Sequence, residues 1–158
     1  MIQVKDGSRT LQFTGKTLGH SSSSRPGSSR WIEFTLYKTE NGSYVLSRIG
    51  VSVVYHTAAC HLVQRYGLTE ANAAEVENST RLIPCEDCRP SLNAAVIFPE
   101  KYRYWAQVSD DPNAVLEALY KYDNSGARYL THVAQRLLEE SAQVDKGIES
   151  VYKVELIP

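Results

Sequence analysis

The sequence predicts an α+β fold: an antiparallel sheet, C-terminal helices packed on one face, and a structural zinc site. Three observations predict it. Apolar and polar residues alternate in the first third of the 158-residue chain and again after residue 101, the period of a half-buried strand. Beyond residue 111 the apolar residues recur at helical spacing instead, and strands followed by helices favour α+β. Finally, all three cysteines join a histidine in one ligand pattern.

Taken in order, Leu11-Gln12-Phe13-Thr14 begins a short alternating strand. Residues 18–30, "LGHSSSSRPGSSR", are rich in Ser, Gly and Pro and are expected to form a flexible loop. Residues 31–55 read as a hairpin. Ile32, Phe34 and Leu36 alternate with Glu33 and Thr35, and Asn41-Gly42 supplies the positive φ angles of a tight turn. The return strand is expected to place Val45, Ile49, Val51 and Val53 on one side, with Gly50 marking a bulge or a close approach.

Thr57 is expected to cap a short helix, "AACHLVQRY", which Gly67 would stop. Residues 69–80 are polar and read as loop or frayed helix. "KYRYWAQVS" (101–109) alternates again as a strand. The helical part, 111–152, starts at Asp110-Asp111-Pro112, a carboxylate cap followed by proline in the first turn. Val115, Leu116, Leu119 and Tyr120 give the first helix an apolar stripe, and Asn124-Ser125-Gly126 ends it. A second helix is predicted over about 126–142, with Tyr129, Leu130, Val133, Ala134, Leu137 and Leu138 on one face. The last segment is expected to begin helical and end extended.

Hydrophobic residues make up 42% of the chain and charged ones 22%, as in an ordinary soluble domain. A single domain over 1–158 of this length buries roughly two-thirds of its unfolded surface. No apolar run approaches the roughly 18 residues of a membrane span, and "MIQVKDGSRT" lacks a signal-peptide pattern, so a cytoplasmic location is expected. The net charge of −1 hides an asymmetry. Residues 1–65 hold eight Lys/Arg against three Asp/Glu, and residues 66–158 hold nine against fifteen. The basic half fits an acidic partner, nucleic acid included.

Three cysteines cannot all pair within one chain, and a cytosolic setting keeps thiols reduced. Metal ligation suits them better. The candidate ligands are His56, Cys60, Cys85 and Cys88. Cys85-Glu86-Asp87-Cys88 lets two thiolates reach one ion from a tight turn, and Cys60 in a first helical turn has its thiolate favoured by the helix dipole. Four N/S ligands without a carboxylate describe a closed, tetrahedral Zn²⁺ site. His61 is an alternative to His56, but adjacent helical residues point about 100° apart, and the i, i+4 relation of His56 to Cys60 allows convergence.

His56-Thr57-Ala58 and Pro84-Cys85-Glu86-Asp87-Cys88 resemble the ligand motif of the zinc nucleobase deaminases. The departure is at Ala58, where that family carries the glutamate that shuttles the proton. Without it, water on zinc has no partner to move its proton to the leaving amine. Cys60 would also fill the position that water needs. "RWIEFTLYKTENGSYVLSRIGVSVVYH", a cysteine shortly after it, "CEDCRP" and "LTHVAQRLLEE" together resemble a small family of Cys/His, zinc-knuckle-like proteins of actinobacteria and their mobile elements. That resemblance covers about half the chain and brings no activity with it.

No Gly-rich phosphate loop, nucleophile elbow or metalloprotease helix motif is present in the sequence. Of the ten tyrosines, Tyr37, Tyr44, Tyr55, Tyr102 and Tyr104 fall on expected strands, where cross-strand packing is their common role. The expectation is a non-catalytic, zinc-stabilised binding or regulatory protein acting through protein–protein contacts. The alternative is a nucleic-acid binder using Arg25, Arg30, Arg48 and Arg65 with neighbouring tyrosines. A divergent zinc hydrolase or deaminase ranks third.

Overall fold

Two small hairpins, a four-stranded sheet and three helices account for the described residues of the computed structural model, which are 1–26, 28–53, 101–154 and 157–158. The chain forms two compact units. One comprises Met1–Ser23, Ile32–Ile49 and Arg103–Pro158, and the other Ser24–Trp31 and Gly50–Tyr102. The fold is α+β, with antiparallel sheets followed by C-terminal helices, as the sequence predicts.

The chain begins with a hairpin, β1 (Ile2–Asp6) and β2 (Arg9–Phe13), paired so that Ile2 faces Phe13 and Asp6 faces Arg9. Alternation puts Ile2, Val4, Leu11 and Phe13 on one side. Val4 is buried and the Phe13 ring meets Tyr37 edge-on, with centroids 5.5 Å apart. The larger sheet runs β3 (Gly15–Ser22), β4 (Arg30–Thr39), β5 (Tyr44–Ser52), β6 (Lys101–Ser109), in that order.

The expected loop at 18–30 is therefore corrected at its start, because residues 18–22 belong to β3. Composition misled there: Leu18 and Ser21 are buried, and pairing with β4 fixes the serines despite their weak strand preference. The register shifts between Thr17 and Gly19, so Leu18 is the extra residue of a bulge and reaches the core. The 31–55 hairpin forms as expected over its described residues. Its turn closes with Thr39 N–H donating to Ser43 O at 2.8 Å and Gly42 N–H to Thr39 O at 3.0 Å. Gly42 at φ 89° takes the left-handed position that completes this three-residue loop.

Ile32, Phe34 and Leu36 face the helices together with Tyr44 and Leu46. The valine side of β5 is as expected: Val45 and Val51 are buried outside the helix-facing cluster, while Tyr44 and Leu46 point at the helical core. Helix α1 (Pro112–Leu119) starts where predicted, with the Asp111 carboxylate accepting from Asn113 N–H at 2.9 Å. Asp110 accepts from Ser43 Oγ at 2.5 Å instead. The second predicted helix begins later than expected, as α2 (His132–Ala142), capped by Thr131. Residues 121–129 form a hairpin, β7 (Lys121–Tyr122) and β8 (Arg128–Tyr129). Gly126 at φ 83° turns that chain back, and Asp123 ties the turn by accepting from Ser125 N–H, Ser125 Oγ and Ala127 N–H. Helix α3 (Lys146–Tyr152) follows, capped by Asp145.

Val115, Leu119, Val133, Ala134, Leu137, Leu138 and Ile148 complete the core between helices and sheet. Helix α2 lies against β3. A Cβ built on Gly19 would stand 2.6 Å from Ser141 Oγ and 3.2 Å from Leu137 O, so the bare backbone sets how near the helix comes. Ser141 Oγ is buried without a hydrogen-bond partner among the described residues. Ser141→Ala is therefore expected to raise stability by about 1 kcal/mol, since a buried unsatisfied hydroxyl is removed at almost no cost in volume. Chemical denaturation measures this, and a loss of stability would show that the hydroxyl has a partner.

Among the described residues the outer strands of the larger sheet are β3 and β6, and both have main-chain groups occupied. On β3, His20 N–H donates to Glu140 Oε2 at 3.4 Å, and Ser22 O accepts from Arg136 Nη2 at 2.7 Å. On β6, Tyr104 O accepts from Gly7 N–H at 2.9 Å, and Ala106 N–H donates to Asp6 Oδ1 at 3.1 Å. Glu139 and Glu140, both exposed, are each engaged. Glu139 takes the Tyr152 hydroxyl and the Lys153 ammonium, which hold its carboxyl below the usual range, Lys153 contributing most.

In the second unit, Ser28 N–H donates to Arg25 O and Arg25 N–H to Ser28 Oγ, while Val53 N–H donates to Ser29 O. Val51 and Val53 are buried. Among the described residues no helix is long and apolar enough to cross a membrane.

Candidate functional site

The four expected metal ligands, His56, Cys60, Cys85 and Cys88, lie outside the described residues, as do the alternative ligand His61 and the expected contact Arg65. Among the described residues no group of three His, Cys, Asp or Glu side chains gathers as a metal site. Of the other expected contact residues, Arg25 and Arg30 are exposed in the second unit. Arg48 belongs to the first unit, exposed, with its guanidinium 5.5 Å from the Trp105 ring centroid. That geometry is a cation–π contact, and Trp105 itself packs against the helical core.

A cluster that the sequence reading missed lies where β4 and β5 meet the start of α3. Lys38 follows Ile32, Phe34 and Leu36 at the inward register of β4. The core ends there, and the lysine finds a carboxylate. Its ammonium lies 2.6 Å from Asp145 Oδ1 and 3.4 Å from the Tyr44 hydroxyl, and 4.9 Å from the Tyr44 ring centroid. Tyr44 donates to Asp145 Oδ2 at 2.7 Å, and Ile148 N–H donates to the same oxygen at 3.0 Å. One buried carboxylate thus caps α3, receives a phenol and pairs with a lysine.

The electrostatics follow from that geometry. Burial alone would push the Asp145 carboxyl up, but Lys38, Tyr44 and Ile148 N–H together outweigh it and hold the group below its ordinary value. The Lys38 ammonium is pushed up, chiefly by its hydrogen bond to Asp145. Tyr44 is pushed up by burial first and then by Asp145. All three move away from neutrality, so the cluster holds one protonation state across the physiological range: ammonium, phenol and carboxylate.

Lys38 and Asp145 also border an open cleft of about 500 Å³ with Lys16, Thr39, Glu40 and Gly42. Its side-chain charges balance, two cations against two carboxylates. The signal that would have found the cluster is a lysine at a core-facing strand position, which needs a buried partner. Asp145 ahead of Lys146-Gly147-Ile148 was legible as a helix cap, though not as that partner.

The expected strand tyrosines divide by role. Tyr37 packs on Phe13, Tyr44 holds Asp145, and Tyr104 carries Lys5 at 5.0 Å from its ring centroid. Tyr102 is largely exposed and Tyr55 lies outside the described residues. No family model matches the chain, and no curated protein or solved structure matches it.

Proposed function

We propose that the protein is a non-catalytic, zinc-stabilised binding or regulatory protein that acts through protein–protein contacts. The observation that carries this reading is the state of the Lys38–Tyr44–Asp145 cluster. Its residue types would serve acid–base chemistry if a pKa stood near neutrality. Each is instead driven the other way, and each oxygen of the carboxylate is engaged. Side chains so engaged are placed to brace a helix. Zn²⁺ on His56, Cys60, Cys85 and Cys88 would brace the remaining chain by the same logic, with Ala58 leaving no proton shuttle beside it.

Elemental analysis of the purified protein is the test: about one zinc per chain is expected. Cys88→Ser should lose the metal and lower the thermal midpoint, because metal binding is coupled to folding. A stable, metal-free protein removes the zinc from this reading. A Cys88→Ser variant that stays fully folded yet loses a measurable turnover overturns the non-catalytic assignment.

A second reading is favoured by Arg48, from the basic half of the chain, standing exposed over Trp105. There the partner is a single-stranded nucleic acid, bound by stacking and phosphate contacts. Oligonucleotide binding that weakens steeply with salt and vanishes in Arg30→Glu/Arg48→Glu would establish it in place of the first.

A further inference from the structure

The cleft of about 500 Å³ beside the braced cluster holds two charges that the fold leaves uncommitted. Asp145 is spent, since its oxygens accept from Lys38, Tyr44 and Ile148 N–H. Lys16 and Glu40 differ. Both are exposed and both line the cleft. Among the described residues neither charged group has an ion-pair or hydrogen-bond partner, and they do not pair with each other. An ammonium and a carboxylate thus border one cleft without neutralising one another.

Register places the cations. Lys16 stands directly opposite Lys38 in the β3–β4 ladder, so the two side chains leave the same face, with Cβ atoms about 5 Å apart. Like charges so placed repel, and Asp145 answers only one of them. An ammonium carries three N–H donors. Lys38 gives one to Asp145 Oδ1 and one to the Tyr44 hydroxyl, and the third has no acceptor among the described residues. The cluster already holds that ammonium in place, so using its third donor costs little side-chain entropy.

Glu40 follows β4 directly, and its main chain is tied down by Glu40 N–H donating to Thr14 O at 2.9 Å. Gly15 and Gly42 line the cleft without side chains. A Cβ on Gly15 would run into Lys38 O, so that wall stays bare.

These charges select by sign. A simple anion would meet Glu40 and Asp145, and a simple cation would meet Lys16 and Lys38. A molecule that carries both signs escapes each repulsion. Its carboxylate can accept from Lys16 and from the third N–H of Lys38, while its ammonium donates to Glu40. Such charge-assisted hydrogen bonds are the strong ones. The volume is that of a small-molecule site, and among the described residues no apolar residue type lines it. A short or polar molecule therefore suits it better than one with a large hydrophobic group.

We infer that this cleft binds a small hydrophilic zwitterion of the α-amino acid class, with its carboxylate on Lys16 and Lys38 and its ammonium on Glu40. The inference goes beyond the protein-contact reading and needs neither the zinc nor a partner.

The test is a ¹H–¹⁵N NMR titration of the full chain with glycine and L-serine. N-acetylglycine, which keeps only the carboxylate, and glycine methyl ester, which keeps only the ammonium, are the comparison probes. Saturable shifts are expected at the amides of Lys16, Lys38 and Gly42. Affinity should fall about tenfold or more in each single-charge probe and in Lys16→Gln and Glu40→Gln, the loss of one charged contact. Thermal midpoints of the unliganded variants should not change, because both side chains are exposed and unpaired. N-acetylglycine binding as tightly as glycine would overturn the zwitterion in favour of a plain anion. Shifts that persist at full affinity in both variants would overturn the site. No saturable shift with either amino acid would overturn the inference outright, leaving the zinc and protein-contact reading to its own tests.

Discussion

Replacing Asp145 with alanine is expected to destabilise the fold by about 3 kcal/mol, the cost of leaving a paired cation and its neighbours without their carboxylate. Three losses meet at one residue. Helix α3 loses its cap, worth about 1 kcal/mol by itself. The Tyr44 hydroxyl, at the base of the core, loses its acceptor. Lys38 keeps its charge at an inward strand position with nothing opposite. Urea denaturation of Asp145→Ala, Lys38→Met and the double variant gives the coupling directly. The single losses should sum to clearly more than the loss in the double variant, because removing both partners leaves no unpaired charge. Additive losses would show that the pair is not coupled.

The same cluster sets a pH signature. The Asp145 carboxyl lies below its ordinary value of 3.8 in the folded chain, so its contribution is complete above that value. It is lost as pH falls through the lowered folded value. Lys38 acts at the other end. Its folded value is raised above 10.5, so its contribution is complete below 10.5 and is lost as pH rises beyond the folded value. Stability should therefore be flat in this respect across the neutral range and fall at both extremes. In Lys38→Met/Asp145→Ala both of these dependences should shrink, which denaturation midpoints at stepped pH will show.

Gly19→Ala is the second large effect expected, a loss of about 2 kcal/mol from overpacking. The added methyl would meet the Ser141 hydroxyl and also Leu137 O of the helix backbone. A side chain can turn aside, but a helical carbonyl moves only with its helix. Helix α2 carries Val133, Ala134, Leu137 and Leu138 into the core, so its displacement is felt across that surface. Combining Gly19→Ala with Ser141→Gly should recover only part of the loss, after correction for the helix cost of glycine. Full recovery would place the whole conflict on the serine.

The sequence displays those features that depend on period and on short-range turn chemistry. The alternation of β4, the Asn41-Gly42 turn and the Asp111-Pro112 helix start are all local, and the structure has them in place. Part of what failed was decided by partners distant in sequence, and part by local signals that competed with the helical stripe. Ser21 and Ser22 read as loop by composition, but pairing with Phe34 and Glu33 makes them strand. Tyr129 and Leu130 fit a helical stripe, yet Gly126 and the Thr131 cap open α2 only after them. The Lys38–Asp145 pair spans 107 residues, a separation that no periodic pattern encodes. Cysteine and histidine spacing, by contrast, bears on residues 56–88, which lie outside the described ones.

The occupied outer strands carry a consequence for how this molecule meets others. Main-chain pairing is indifferent to sequence: any extended segment suits a bare strand edge. Glu140 and Arg136 on one side, and Asp6 and Gly7 on the other, withdraw that option at His20, Ser22, Tyr104 and Ala106. At these positions a visitor finds side chains and no template. At those four groups a second copy of the chain would find no bare donor or acceptor along which to zip, so the pairing that extends one sheet into another is interrupted there.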